Sequence, residues 1–244
     1  MFRHQGKGRT FRHNLRVATL LSFVAGVVNV SGFLAIGRLT TNVTGHFAFF
    51  VDEVFKLEFW TGLVYFLFIF FFLLGSFVSN LLIETFSRND LGFPFAFPAL
   101  IEALILFLIG FLGSSESLDP NVIAYSLLFS MGLQNSFVTK ISNYTVRTTH
   151  LTGLFTDLGI ELSQLFFYKG IDQRHQLLKS IKLRLSIIGF FFLGGICGGI
   201  FYTKFGLLVL CIASSILIIG LVYDHAKFRF ITLRRKFKLG GLKS

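Results

Sequence analysis

Two cysteines in 244 residues are too few for a disulfide framework. Both, Cys197 and Cys211, sit inside apolar runs, so a metal centre gains no support from them either. Acidic residues are scarce as well: 12 stand against 23 lysines and arginines, a formal charge of +11. Such an excess can signal nucleic acid. Here the basic residues cluster at the two termini and in one loop beside apolar runs, the distribution that holds segments of a membrane protein in the cytoplasm. No nucleic-acid partner is expected. Also missing is any grouping of nucleophile, base and orienting side chain, so the chain is not expected to be an enzyme, and no cofactor is implied.

What is present is apolar. Hydrophobic residues make up 53% of the chain, 34 of them phenylalanine, and the mean hydropathy is +0.72. These values lie far outside the soluble range and predict an all-α integral membrane protein. Met1 to Arg16 is basic and precedes the apolar run Val17 to Gly37, an order that also describes a signal peptide. Cleavage is not expected, because that run carries Gly26 and Asn29, which have counterparts in the second half.

Those counterparts belong to a duplication. The pattern Thr-Thr-x-x-Thr-Gly occurs as Thr40 to Gly45 and again as Thr148 to Gly153, preceded by Arg38 and Arg147. Upstream, Gly26-Val-Val-Asn29 answers Gly132-Leu-Gln-Asn135; downstream, Glu53 answers Glu161, and Leu74 to Asn80 answers Leu193 to Gly199. Four matches in one order predict two units of roughly 110 residues, the kind of periodicity that has to be found before other assignments are made. The units are taken as 17–114 and 121–223, between a basic cytoplasmic N-terminus (1–16) and a basic tail (224–244).

Six runs can cross a hydrocarbon layer of about 30 Å, which takes about 20 helical residues: Val17 to Gly37, Phe59 to Ile83, Phe95 to Gly113, Val122 to Thr139, Leu185 to Tyr202 and Phe205 to Tyr223. Two shorter segments, Val43 to Phe55 and Leu151 to Phe167, directly follow the motifs. If both cross, there are eight spans and parallel units. If neither crosses fully, there are six, and the units are inverted. Basic residues favour six: the loop Ile141 to Arg184 carries Arg147, Lys169, Arg174, Lys179, Lys182 and Arg184, while Ser114 to Asn121 carries Glu116 and Asp119 and no base. The expected architecture is six transmembrane helices plus two short broken or re-entrant helices in two inverted-topology repeats, dipping in from opposite faces. Broken helices at matching positions of inverted repeats mark the binding site of many secondary transporters. The tail alternates Lys227, Arg229, Arg234, Arg235, Lys236 and Lys238 with apolar residues and is expected to rest on anionic lipid.

Candidate binding residues follow from the motifs: Asn29, Thr41, Asn42, Thr44 and Gly45 in the first unit, and Asn135, Thr149, His150, Thr152 and Gly153 in the second. Threonines at a helix start can cap free amides, and with the helix dipole such a site suits a small anionic or carboxylate-bearing solute. Whether the hydroxyls only cap, and whether the asparagines tie a span to the next segment or touch solute, is open at this stage. Acids at membrane depth are costly and therefore candidates for proton or cation coupling: Glu53, Glu102, Asp157 and Glu161. Asp157 and Glu161 are four apart and share a helix face. The alternative is an ion pair with Arg38, Arg147 or Lys140. His46 and His150 lack a second ligand at useful spacing, so no metal is expected; His150 could instead act as a pH-sensitive partner of Asp157 or Glu161. The rows Gly75, Ser76 and Ser79, and Gly194, Gly195, Gly198 and Gly199, predict close helix crossings.

The signatures Ala25-Gly-Val-Val-Asn29, Thr41-Asn-Val-Thr-Gly45, Met131-Gly-Leu-Gln-Asn135 and Arg147-Thr-Thr-His-Leu-Thr-Gly153, with Thr156-Asp-Leu-Gly-Ile-Glu161, resemble the YoaK family of bacterial inner-membrane proteins, over about Leu15 to Tyr223. That family has Thr-Gly-Asn where this chain has Thr44-Gly45-His46. The resemblance implies a polytopic membrane protein with no established substrate. Sequence alone therefore supports two functions: a secondary transporter or exporter of a small solute, with Asn29, Thr44, Asn135, Thr152 and Asp157 converging on one cavity, or a non-transporting scaffold whose partners dock at the tail. The lipid bilayer is the expected partner in both, and self-association is left open.

Overall fold

Long apolar runs become helices because a chain in lipid has to satisfy its backbone hydrogen bonds within each segment. The computed structural model describes residues 9–88, 93–113 and 118–240, with side chains as far as residue 226. Among the described residues there are eight α-helices and no strand: α1 (Phe11–Ile36), α2 (Thr44–Phe55), α3 (Phe59–Arg88), α4 (Ala96–Leu112), α5 (Pro120–Ile141), α6 (Leu151–Gln164), α7 (Ile171–Phe205) and α8 (Val209–Gly240). By length and apolarity, four described helical stretches can cross a membrane: α1, α3, α5 and Ile171–Ala226, which the 3-10 turn Gly206–Leu208 divides into α7 and the start of α8. α4, with 17 residues, is a shorter apolar helix. The all-helical membrane protein expected from composition is what the chain folds into. Arg3, Lys7, Glu116 and the tail side chains from Lys227 onward, which the topology argument used, lie outside the described residues.

Two helix pairs cross at glycines. A Cβ on Gly26 of α1 would lie 2.0 Å from the Phe191 carbonyl oxygen and 2.8 Å from the Gly195 nitrogen of α7. One on Gly132 of α5 would lie 2.2 Å from the Phe72 oxygen and 3.0 Å from the Ser76 nitrogen of α3. The return contacts also correspond: Gly194 against Phe23 and Gly75 against Phe129, each at 2.1 Å. Only hydrogen fits at these four positions. The predicted small-residue rows thus work as expected, letting backbones approach where lipid supplies no hydrophobic drive.

The same contacts fix helix directions. Phe23 meets Gly194 and Val27 meets Gly198, so α1 and α7 run the same way. Phe68 packs on Tyr125 and Gly75 on Phe129, so α3 and α5 also run together. Leu20 meets Gly220 at the level where Phe23 meets Gly194, which means that the chain turns back at Gly206–Leu208. Gly110 lies against Cys211, and the Ser214 hydroxyl donates to the Ala103 carbonyl at 2.6 Å, so α4 and α8 are antiparallel. Phe86 stacks on Phe97 where α3 turns into α4. Following these steps around the molecule, α1 and α5 run in opposite directions. Their inner faces, with those of α4 and α8, fill the main core, in which Leu21, Leu106, Leu127, Met131 and Leu217 are fully buried.

Candidate functional site

Each Thr-Thr motif is fastened to the helix before it. α1 ends at Gly37, whose left-handed φ of 66° turns the chain back over the helix it has just left. The Thr40 hydroxyl then donates to the Val28 carbonyl at 3.2 Å, and the Thr41 hydroxyl to the Asn29 side-chain oxygen at 2.7 Å. In the second half Thr148 accepts from the Gln134 amide at 2.8 Å, and the Thr149 hydroxyl donates to the Asn135 side-chain oxygen at 2.9 Å. Asn29 with Thr41 and Asn135 with Thr149 are thus the same bond made twice. Both asparagines tie a long helix to the following half-length one, the more modest of the two roles open to them. Replacing Thr41 or Thr149 with valine leaves a partly buried amide oxygen without its donor. Each is expected to lower stability by about 1–2 kcal/mol, read as equal drops in melting temperature; a drop confined to one of them would break the equivalence.

The capping expectation needs correction. α2 and α6 start at Thr44 and Leu151, and their N-cap residues, Val43 and His150, make no side-chain cap bond. Asn42 comes nearest to the role, accepting from the Gly45 amide at 3.4 Å. Thr44 and Thr152 are exposed. The His150 ring folds over Gly153, 2.5 Å from where a Cβ would stand, so a side chain there would displace the ring.

Beyond the motifs the halves differ. At the first, His46 is buried: its Nε2 lies 2.6 Å from the Leu39 carbonyl, and its ring packs 4.8 Å from that of Phe68. Arg38 lies over Tyr65 and Phe68 at 5.2 and 5.3 Å. The residue that departs from the family pattern therefore helps to seal this end. At the second, Tyr144, Thr145, Arg147, His150, Gly153, Leu154, Asp157, Ser180, Leu183 and Arg184 line a cavity of about 360 Å³. Consecutive left-handed residues, Asn143 at φ 53° and Tyr144 at φ 62°, shape its rim, a conformation that a residue with a Cβ adopts only when its surroundings hold it there.

Asp157 and Glu161 face the same partner, Arg184 of α7. Its Nη1 donates to Asp157 at 2.8 Å and its Nε to Glu161 at 2.9 Å, while the Ser180 hydroxyl donates to the other Glu161 oxygen at 2.5 Å. The three cations proposed from sequence are elsewhere: Lys140 binds Glu84 and Asn80, Arg38 sits on aromatic rings, and Arg147 lines the cavity. Sequence reasoning counted Arg184 among the loop charges. The available signal was a base at the edge of an apolar run, opposite a segment with two acids on one face. Glu53 is 3.7 Å from Lys56 of its own turn. Glu102 lies fully buried in α4 with neither carboxyl oxygen hydrogen-bonded.

The convergence expected from sequence is not found. Of the five residues, Asp157 alone lines the polar cavity, where His150 and Gly153 join it; Asn29, Thr44, Asn135 and Thr152 line neither it nor the apolar grooves beside α1, α4 and α7.

The family model described as "Protein of unknown function (DUF1275)" matches residues 17–223. The chain is also similar to the "UPF0700 transmembrane protein YoaK" of Bacillus subtilis (strain 168), with 26% identity over 184 residues, 73% of this chain and 79% of that protein. No solved structure matches. The resemblance drawn from the motifs is therefore sound, and the relative's printed name agrees with the membrane character of the helices.

Proposed function

The chain belongs to the DUF1275 family of proteins of unknown function, and from the matching contacts of its two halves we propose that it is a secondary transporter of a small solute. In this reading six helices, α1, α3, α4, α5, α7 and α8, cross a bacterial inner membrane. The units 17–114 and 121–223 are inverted repeats, and both termini are cytoplasmic. α2 and α6, about 18 and 21 Å long at 1.5 Å per residue, are too short to cross a hydrocarbon layer of about 30 Å and enter from opposite faces.

The observation that carries the reading is the correspondence of contacts under exchange of the halves. α1 on α7 matches α5 on α3 glycine for glycine, the two Asn–Thr bonds match, and the helices that open the halves run oppositely. The same matching sets Asp157 and Arg184 at the places of Phe49 and Tyr65. One pair is ionic at 2.8 Å and bounds a cavity; the other is stacked at 5.2 Å and bounds none of the cavities described. A molecule of two inverted halves in two conformations is open on one side and closed on the other, and exchanging those conformations gives alternating access. The open side here is the cytoplasmic one.

Glu102 suits the coupling role. With no hydrogen-bond partner among the described residues, an ionised carboxylate at that depth would cost several kcal/mol, and a proton is what relieves it. Glu102→Gln is expected to leave stability within about 1 kcal/mol, since no contact is lost, and to remove the dependence of uptake on a pH gradient. Unchanged dependence would take Glu102 out of the coupling path.

The test of the architecture uses single cysteines at Asp52 and Tyr168 in a chain carrying Cys197→Ser and Cys211→Ser. An impermeant thiol reagent should modify them from opposite sides of the membrane; modification from one side ends the inverted reading. A non-transporting scaffold is the second reading, favoured by the way both asparagine oxygens are taken up by threonine hydroxyls within the protein. It predicts that no solute accumulates in proteoliposomes.

A further inference from the structure

We propose that the cavity between α6 and α7 binds a zwitterion of the α-amino-acid class, carboxylate toward the start of α6 and ammonium toward Asp157. This deepens the transporter reading by naming its substrate class, and it rests on that reading for its position facing the cytoplasm.

The charges around the cavity are divided between its two ends. At one end Asp157 and Glu161 share a single guanidinium, that of Arg184, which leaves one negative charge in excess. Asp157 is half exposed, so that end can still receive a cation. At the other end stands Arg147, whose side chain has no carboxylate within ion-pair distance among the described residues. His150, the N-cap residue of a 14-residue helix, and the exposed Thr145 line the same cavity. The donors there are all cationic or neutral. The charges of Arg147, Arg184, Asp157 and Glu161 in and beside the cavity cancel, yet its two ends are of opposite sign. A simple anion would satisfy Arg147 and meet the excess acid; a simple amine would do the reverse. A ligand with both charges satisfies both ends.

Dimensions agree. Gly153 and Asp157 both line the cavity, four residues apart on one face of α6, and are therefore about 6 Å apart along the axis. An ammonium and a carboxylate on one α-carbon, each with a hydrogen bond of about 2.8 Å to the protein, span that distance. The cavity's volume of about 360 Å³ leaves room for a side chain, and Leu154 and Leu183 supply an apolar wall for it.

The experiment measures melting temperature and heat of binding for the purified full-length protein, first with the twenty L-amino acids. The best of them is then compared with its des-amino acid and its decarboxylated amine. One or more amino acids should bind, and both analogues should bind at least tenfold more weakly. Arg147→Gln should abolish the loss caused by removing the carboxylate, and Asp157→Asn the loss caused by removing the ammonium. Asp157→Asn keeps the Arg184–Glu161 contact, and the comparison of ligands on the unaltered protein stands even if a variant is unstable. Glu84→Gln, on the α3–α5 pair, should leave binding unchanged. The proposal is overturned if none of the twenty binds, or if either analogue binds as well as the amino acid, which would make this a plain anion or amine site. Binding without uptake into proteoliposomes would refute the transporter reading and leave the site standing. Uptake of a different solute with no amino acid bound would do the opposite.

Discussion

Gly132→Val is expected to remove folded protein from the membrane fraction, and Gly26→Val to do the same to a similar degree. At each position the first added carbon would lie within about 2 Å of a carbonyl oxygen on the facing helix, 2.2 Å for Gly132 and 2.0 Å for Gly26. The obstacle is backbone rather than the tip of a flexible side chain, so rotamer changes cannot relieve it and the helices have to part. Parting them strips packing from a contact that holds α5 to α3 or α1 to α7. Overpacking a well-filled core typically costs about 1–3 kcal/mol, and a β-branched residue against backbone belongs at or beyond the upper end. The measurement is monomeric yield in mild detergent together with melting temperature. Gly189→Val, where a Cβ meets nothing within 4 Å, is the comparison and should behave like the unaltered chain. If Gly26→Val and Gly132→Val were tolerated equally well, the close crossings would be wrong.

Arg184→Gln is expected to have the next largest effect. Removing the guanidinium leaves Asp157 and Glu161 four residues apart on one face of α6 with their shared cation gone, while Glu161 is 12% exposed and cannot escape to water by rotation. Like charges at that spacing oppose the helix, and a charge left partly buried without its partner adds its own penalty. About 2 kcal/mol is a fair expectation, less than for a fully buried pair because Asp157 is 49% exposed. The triple variant Arg184→Gln, Asp157→Asn, Glu161→Gln should recover most of the melting temperature. Recovery argues that charge, rather than the packing of the arginine stem, makes the contact; a triple variant no better than the single one would show the reverse.

Much of this arrangement was legible before any coordinates. The duplicated Thr-Thr-x-x-Thr-Gly gave both the break after α1 and the break after α5, since such a run cannot continue a helix buried in lipid as easily as it can turn and bond to one. Small-residue rows at Gly75 and Gly194 announced the two crossings. What the chain order hid was which side chains of neighbouring elements meet. Nothing in the sequence near Asp157 names Arg184, because the contact depends on how α6 lies along α7, and that is decided by apolar residues such as Leu158, Leu177 and Ile181 that pack together without any distinctive pattern. Asn29 illustrates the other limit. Its side chain was visibly in need of a partner, but only geometry could show that the partner is Thr41 and that the pair closes on itself.

α7 is one unbroken helix of 35 residues, and its fixed point is the crossing where Phe191 and Gly195 meet Gly26. Ser180 and Arg184 lie on the same rod toward its free end, Ser180 some 16 Å from Phe191 at 1.5 Å per residue. A rocking of only about 10° at the glycine fulcrum would swing Ser180 by roughly 3 Å, enough to draw it out of hydrogen-bond reach of Glu161. A rotation about this close crossing would thus act on α6 through a long stiff arm.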